Sequence, residues 1–242
     1  RYDLYASTNS PKTVGKMIIL LVQAAVLNSG PSTFWCVIHF FKGSQEMRDK
    51  VLKEIEHAVE LSKQESSENS SNNPLLFTEA ALNSMVILDS FIMETLRLYS
   101  SVAPLRQTTK RMELVTEAQG KTISIPEKTD IVIPGYVIHS DPDLYDKPEE
   151  FRYDRFVNFA QQPQKFKNGK PVPRSTHFVG FGAGKHICPG RFFAKNEIKA
   201  VIATILNMFT FDIHGNVPPM NEAEFAATLK PLYDIDCTIS CK

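Results

Sequence analysis

The feature that most constrains this chain is the stretch 178–191, FVGFGAGKHICPGR, which sets Gly180, Gly182, Gly184 and Gly190 around a single cysteine, Cys188. Glycines at this density let a backbone adopt positive φ and lie close to something flat and bulky. The stretch runs directly into an apolar segment with helical spacing. A thiol placed just before a helix start, beside Lys185, His186 and Arg191, is favoured as a thiolate. Such a thiolate serves as a nucleophile, a metal ligand or one ligand of a haem iron, and the residue types alone leave the three open.

The chain has 242 residues, and its Lys plus Arg and Asp plus Glu totals are both 27. That balance argues against a nucleic-acid footprint, which needs a basic excess. An apolar content of 43% supports a packed core. The four cysteines, Cys36, Cys188, Cys237 and Cys241, show no paired spacing. They do not suggest a disulfide framework, and reduced thiols with cytosolic exposure fit better. The first residue is Arg1, and no signal peptide is expected before it. The apolar run Met17–Phe41 contains Gln23, Asn28, Ser29, Gly30, Pro31, Ser32, Thr33 and His39. That polarity favours a helix buried in a large core over a membrane span.

Read in order, Ser10-Pro11 marks a helix start, a capping hydroxyl followed by proline at the first helical position. The helix runs to about Lys42 and, being apolar on nearly all sides, is expected to be buried. Pro31 within it removes a backbone bond and implies a kink, a local opening or a boundary. Ser44 caps a helix from Gln45 to about Leu61. Residues 62–74, SKQESSENSSNNP, are expected to form a mobile polar loop inside one domain spanning 1–242. Thr78 caps a short helix, and Met85–Ser100 forms the next, with Met85, Leu88, Ile92 and Leu96 on its buried face. On this helix Glu94 and Arg97 are three apart and project from one side. Short strands are expected over 105–134, with turns at Glu117–Gly120 and Pro126–Lys128. Pro189–Asn207 reads as a helix with a stripe of Phe193, Ile198, Val201, Ile202, Ile205 and Leu206. Phe209–Ile213 and Ile235–Ile239 read as closing strands.

The pattern Phe181-x-x-Gly184-x-His186-x-Cys188-x-Gly190, continued by Arg191-Phe192-Phe193-Ala194, resembles the haem-ligand loop of the cytochromes P450. Glu94-x-x-Arg97 and Phe151-Arg-Tyr-Asp-Arg155-Phe156 precede it in the order found in that family. The resemblance implies a mainly α fold with small β-sheets, the C-terminal half of the P450 fold. Its parts are the long central helix, the Glu-x-x-Arg helix, the meander, the Cys-ligand loop and the following helix. It implies haem b with the Cys188 thiolate as axial ligand. Phe181, Gly182, Gly190 and Ala194 would lie against the haem, and Arg106 and His186 would reach its propionates. Glu94, Arg97 and Arg155 would lock together behind the loop as a buried clamp. It also implies a longer protein, with a membrane anchor and much of the substrate roof upstream of this chain. The expected site of action is the cytosolic face of the endoplasmic reticulum membrane, with a small lipophilic substrate and NADPH-cytochrome P450 reductase as partners. Lys185, Arg191, Lys195 and Lys199 make a local basic excess that would receive that reductase.

One stretch departs from the family pattern. Aligned by Thr33-Phe34-Trp35, the chain carries Asn28-Ser29-Gly30-Pro31 where most members have an acid and a threonine that relay protons. Gly30 and Pro31 relay none. An Asn-x-x-Pro motif in this place resembles the branch containing the sterol 7α- and 12α-hydroxylases and prostacyclin synthase. The resemblance implies a sterol or lipid monooxygenase, in which Asn28 would hold a water or a substrate oxygen. The alternatives are a haem-thiolate isomerase or dehydratase working without a reductase, and a non-catalytic haem-binding fragment.

Overall fold

The computed structural model describes residues 10–68, 77–116, 120–159, 169–172, 174–221 and 227–242. Helix α1 (Pro11–Lys42) begins where Ser10 accepts a bond from the Thr13 amide, with proline at the first helical position. It continues unbroken past Gly30 and Pro31. Pro31 has no N–H to offer the Leu27 carbonyl one turn earlier. The flanking polar side chains turn instead to the helix's own carbonyls. Asn28 Nδ2 donates to Ala24 O at 3.1 Å, and Ser32 Oγ donates to Asn28 O at 2.7 Å.

Burial along α1 departs from the sequence expectation. Apart from Val14, its buried residues begin at Ser32 and include Trp35, Cys36, Ile38 and Phe40. Before that, Leu20 and Leu21 are 63% and 70% exposed, and Val22, Val26 and Leu27 are also open. Apolar composition buries a helix only where neighbours exist, and the side-chain links from α1 to distant parts of the chain begin at Ser29. Among the described residues α1 is the one helix long and apolar enough to cross a membrane, a statement of length and composition only.

Helix α2 (Gln45–Glu68) is capped by Ser44, whose Oγ accepts from the Met47 amide. It extends beyond the expected end near Leu61, so 62–68 are helical rather than part of the polar loop. Lys, Gln and Glu favour a helix. Ser62 anchors the extension, buried and accepting from the Thr78 amide at 3.0 Å. The rest of the expected mobile loop, 69–74, lies outside the described residues. Thr78 then caps the short helix α3 (Glu79–Ser84). Helix α4 (Val86–Tyr99) has no cap of its own. Glu54 of α2 supplies one, its carboxylate accepting from the Ile87 and Leu88 amides at 2.8 Å each.

The predicted face of α4 is buried as expected, with Leu88, Ile92 and Leu96 at 4% exposure or less, and Met85 just before it fully covered. It packs with Cys36 and Phe40 of α1, Val51 and Ile55 of α2, and the helix after the cysteine loop. Trp35 fastens α1 to α4 by stacking on Tyr99 at 4.0 Å, and its Nε1 donates to Leu229 O.

Among the described residues, three two-stranded antiparallel sheets flank this helical core. Strands β1 (Leu105–Gln107) and β4 (Asp130–Val132) pair with Leu105 opposite Val132. Between them β2 (Met112–Thr116) and β3 (Lys121–Ile125) form a hairpin. Of its expected turn at Glu117–Gly120, residues 117–119 fall outside the described residues, and Gly120 has φ 60° with its amide donating to Thr116 O at 2.8 Å. Short helices α5 (Gly135–His139) and α6 (Arg174–His177) follow. Helix α7 (Arg191–Met208) buries Ile198, Lys199, Ile202, Ala203 and Leu206, whereas Phe193 is 65% and Val201 41% exposed. Its inner stripe is therefore rotated from the expected one. Strand β5 (Phe209–Ile213) pairs with β6 (Cys237–Cys241), two residues beyond the expected second strand. The mainly α architecture with small sheets is the one the sequence implied.

Trp35 is fully buried, stacked on Tyr99 and hydrogen-bonded through its nitrogen. Trp35→Ala is expected to lower unfolding free energy by about 3–5 kcal/mol. In urea melts the midpoint should fall at unchanged slope; a shift within error of wild type would show that α1 is not anchored there.

Candidate functional site

The site is built from a buried charge. Glu94 is fully covered, and Arg97, one turn on, is 1% exposed. Arg97 Nε donates to Glu94 Oε2 at 2.7 Å and Nη2 to Oε1 at 2.9 Å, a two-pronged pair. Arg155 adds its Nε at 3.0 Å from both oxygens, and the Arg152 amide donates to Oε1 at 2.9 Å. Sequence places Glu94 and Arg97 on one face; folding brings Arg155 to them. The remaining guanidinium donors then reach backbone. Arg155 Nη1 donates to Asp146 O and Nη2 to Glu150 O, while Arg97 Nη1 donates to His139 O at 2.8 Å. One carboxylate thus stitches α4 to the irregular 146–155 segment and to the end of α5. Removing one partner of such a pair costs roughly 3–5 kcal/mol, because a charge is left buried and uncompensated.

From this cluster a path of hydrogen bonds leads to the cysteine. His139, 1% exposed, places Nδ1 3.0 Å from Arg97 O, and its Nε2 receives the Val179 amide at 3.0 Å. Val179 O accepts from the Gly182 amide at 2.8 Å, closing a tight turn. Gly182 and Gly184 have φ of 76° and 64°, which explains glycine at both. The Cys188 amide then donates to Phe181 O at 2.8 Å, pinning the cysteine across the loop. Cys188 is half-buried. Its carbonyl accepts from Arg191 Nη1 at 3.1 Å, and the Arg191 guanidinium lies 4.2 Å from the centre of the Phe192 ring.

The other sequence-derived positions are less uniformly gathered. Phe181 is half-buried, packing on the core beside Phe178, and Gly190 is placed so that an added Cβ would sit 3.8 Å from Cys188 Sγ. Ala194 is half-buried in the first turn of α7, where its amide donates to Gly190 O. His186 and Lys185 are exposed on a short 3-10 turn, Gly184–His186. Arg106, half-buried on β1, turns its Nη1 to Leu105 O. Asn28 is half-buried on α1. Beside it, Ser29 Oγ lies 2.6 Å from Ala25 O and 2.8 Å from Glu197 Oε2, fixing where α1 crosses α7.

The basic patch is smaller than its sequence suggested. Asp89 of α4 bonds Lys195 at 2.9 Å and Lys199 at 2.9 Å, and Lys199 is buried with Nζ donating to Leu82 O. Two of the four cations therefore share one carboxylate, which offsets one of their two charges and draws both side chains against α4, leaving Lys185 as the openly exposed one. Sequence reading missed Asp89, His139, Glu54 and Glu197. Each acts across a tertiary contact, and none stands in a local motif.

The donor chemistry bears on which use of the thiol fits. Among the described residues no three His, Cys, Asp or Glu side chains gather to hold a metal. A lone cysteine ligand suits a metal whose other ligands arrive with it. The loop also fits a flat apolar group, given glycine at 190 against the sulfur and the exposed Phe193 nearby. Val26 and Leu27 of α1 are bare within one turn of the crossing at Ser29.

The histidines give the fold a pH dependence. Burial lowers His139 from 6.5 to about 4, with the Arg97 charge adding to it, and burial lowers His39 to about 4 as well. Both are neutral when folded, so the unfolded chain takes up protons first as pH falls. Their stabilisation is fully present above pH 6.5 and drains away toward pH 4. The expected slope is about 1.4 kcal/mol per pH unit for each histidine. Urea midpoints measured between pH 7 and 4.5 should fall steadily; a flat profile would contradict these burials.

Comparison with known proteins agrees with this geometry. The family model described as Cytochrome P450 matches residues 9–236. Cytochrome P450 7A1 of Oryctolagus cuniculus is 29% identical over 234 residues, covering 95% of this chain and 46% of that protein. The 25-hydroxycholesterol 7-alpha-hydroxylase of Rattus norvegicus is 30% identical over 207 residues, 85% of this chain and 48% of that one. The 7-alpha-hydroxycholest-4-en-3-one 12-alpha-hydroxylase of Oryctolagus cuniculus is 28% identical over 235 residues, 93% of this chain and 45% of that one. The chain thus spans about half the length of the curated relatives it matches. The crystal structure of the cytochrome P450 CYP102L1 superposes with a TM-score of 0.73 at 17% identity, over 97% of this chain and 47% of that one. With a family match running nearly end to end and the Glu94 cluster tied by hydrogen bonds to the Cys188 loop, this chain belongs to the cytochrome P450 family.

Proposed function

We propose that this chain forms the haem-binding part of a monooxygenase that hydroxylates a sterol or related lipid, using oxygen and electrons from a reductase. The observation that carries the reading is the Cys188 loop, glycine-lined and tied by hydrogen bonds to a buried ion cluster. Its resemblance along nearly the whole chain to proteins named as sterol 7-alpha- and 12-alpha-hydroxylases supports the substrate class. Bound through Cys188, haem b would supply the oxidising chemistry, with the thiolate favouring cleavage of an O–O bond.

The chain's own residues then have distinct tasks. Cys188 would hold the iron through its thiolate, its place in the loop set by the hydrogen bond from its amide to Phe181 O. Gly182, Gly190 and Ala194 keep the surface beside it low, and Phe181 backs the loop. Arg106 and His186 would meet the propionates. Glu94, Arg97 and Arg155 hold the framework behind the loop. With Gly30 and Pro31 unable to pass a proton, Asn28 is left to hold a water or a substrate oxygen at the break in the α1 bonding pattern. Reductase docking would rest on Lys185 more than on the Asp89-bound lysines. The endoplasmic reticulum membrane, at its cytosolic face, is the corresponding location.

The Gly30-Pro31 pair also favours a second reading, an isomerase or dehydratase acting on a lipid peroxide with no need for delivered protons or a reductase. Turnover assays with and without NADPH and reductase separate the two. For the ligand itself, the reduced carbon-monoxide complex of the whole protein should show the absorption of a thiolate-bound haem, and Cys188→Ala should abolish it. Survival of that band in the variant would remove Cys188 from the iron.

A further inference from the structure

His139 belongs to none of the sequence motifs, yet its side chain joins the ion cluster to the thiol loop by hydrogen bonds at both ring nitrogens. Its ring is 1% exposed and both of its nitrogens are used. The Val179 amide can only donate, so Nε2 must be the acceptor and carries no proton. Arg97 O can only accept, so Nδ1 carries the hydrogen. The tautomer is therefore fixed by its two backbone partners. The link to Arg97 is reciprocal, since Arg97 Nη1 donates to His139 O at 2.8 Å. On the other side the ring stacks on Phe178 at 5.3 Å.

Val179 is gripped twice by the same short helix. At its first residue, Gly135, an added Cβ would stand 2.6 Å from Val102 O and 3.2 Å from Val179 Cγ2. At its last residue, His139, the ring takes the Val179 amide. Val179 O then accepts from Gly182, and Phe181 O accepts from Cys188. The cysteine backbone is thus two hydrogen-bonded steps from a residue held by His139.

We propose that His139 is a positioning residue for the thiol loop, holding Val179 through Nε2 so that the following turn presents Cys188 in one place. The proposal deepens the haem-thiolate reading and takes its purpose from it, while its geometry concerns the protein alone. Asparagine at 139 offers a polar group near the place of Nδ1 and none near Nε2; glutamine does the reverse. A merely structural histidine would respond alike to both.

The test uses the whole haem-loaded protein. In wild type, nitrogen-15 resonances of the His139 ring at neutral pH should show Nδ1 protonated and Nε2 bare. Amide hydrogen exchange over 178–188 should speed about tenfold in His139→Asn, the scale of one lost hydrogen bond, with α1 and α2 unchanged. His139→Gln should stay within about threefold of wild type over the same segment. The carbon-monoxide complex should lose thiolate-type absorption in the same order, Asn before Gln. A proton on Nε2 in wild type would overturn the proposal without any variant having to fold. Equal acceleration in the two variants, or acceleration spread over α1 and α2, would overturn it too. If Cys188→Ala keeps the thiolate band, the haem reading fails while the exchange results still decide the role of His139.

Discussion

The structure depends on one buried carboxylate. Glu94 sits in α4 without solvent and accepts from two guanidinium groups and a backbone amide. An isolated charge there would be prohibitive, so the arginines are obligatory, and each must be delivered by a different part of the chain. Arg97 comes from the same helix at no topological cost. Arg155 comes from an irregular segment whose carbonyls, at Asp146 and Glu150, are satisfied by the same side chain. The charge therefore fixes a stretch with little regular hydrogen bonding of its own. Through Arg97 and His139 the order extends to Val179 and to the cysteine loop.

A second electrostatic node works on the other side of α4. Asp89 gathers Lys195 and Lys199 from α7, and Glu54 from α2 caps the first turn of α4. Both nodes make α4 the hub of the fold, clasped by α2 at its start, by α7 along its side and by the 146–155 segment near its end. Helix α1 behaves differently. Its second half is clamped by Trp35 and the aromatic stack with Tyr99, while the first half presents bare aliphatic residues. The change falls close to Gly30-Pro31, where the backbone ladder loses a bond.

Much of this was legible in the sequence. Caps at Ser10, Ser44 and Thr78, the buried stripe of α4 and the paired spacing of Glu94 and Arg97 are local patterns, and local patterns survive into structure. The glycines at 182 and 184 likewise announced the positive φ they adopt. What stayed hidden depends on contacts far apart in sequence. Nothing near Lys195 or Lys199 reveals Asp89, so the sequence shows a fully open basic patch where two of the four cations are tied to one half-buried carboxylate. The bareness of Met17–Leu27 was hidden for the opposite reason, since composition states what a helix can bury and not what stands beside it. Helix α2 outran its expected end because a polar stretch rich in Lys, Gln and Glu still favours helix, and Ser62 found a tertiary partner.

The central claim is that the Glu94 charge cluster organises the segment that holds the thiol loop. Its most direct test is the haem bound per chain in whole-protein Glu94→Gln, by pyridine haemochrome, alongside far-ultraviolet circular dichroism. The substitution keeps size and shape but removes the charge that Arg97 and Arg155 share. The account predicts a protein that keeps most of its helix content and loses most of its haem. A folded variant with the haem content and stability of wild type would contradict it.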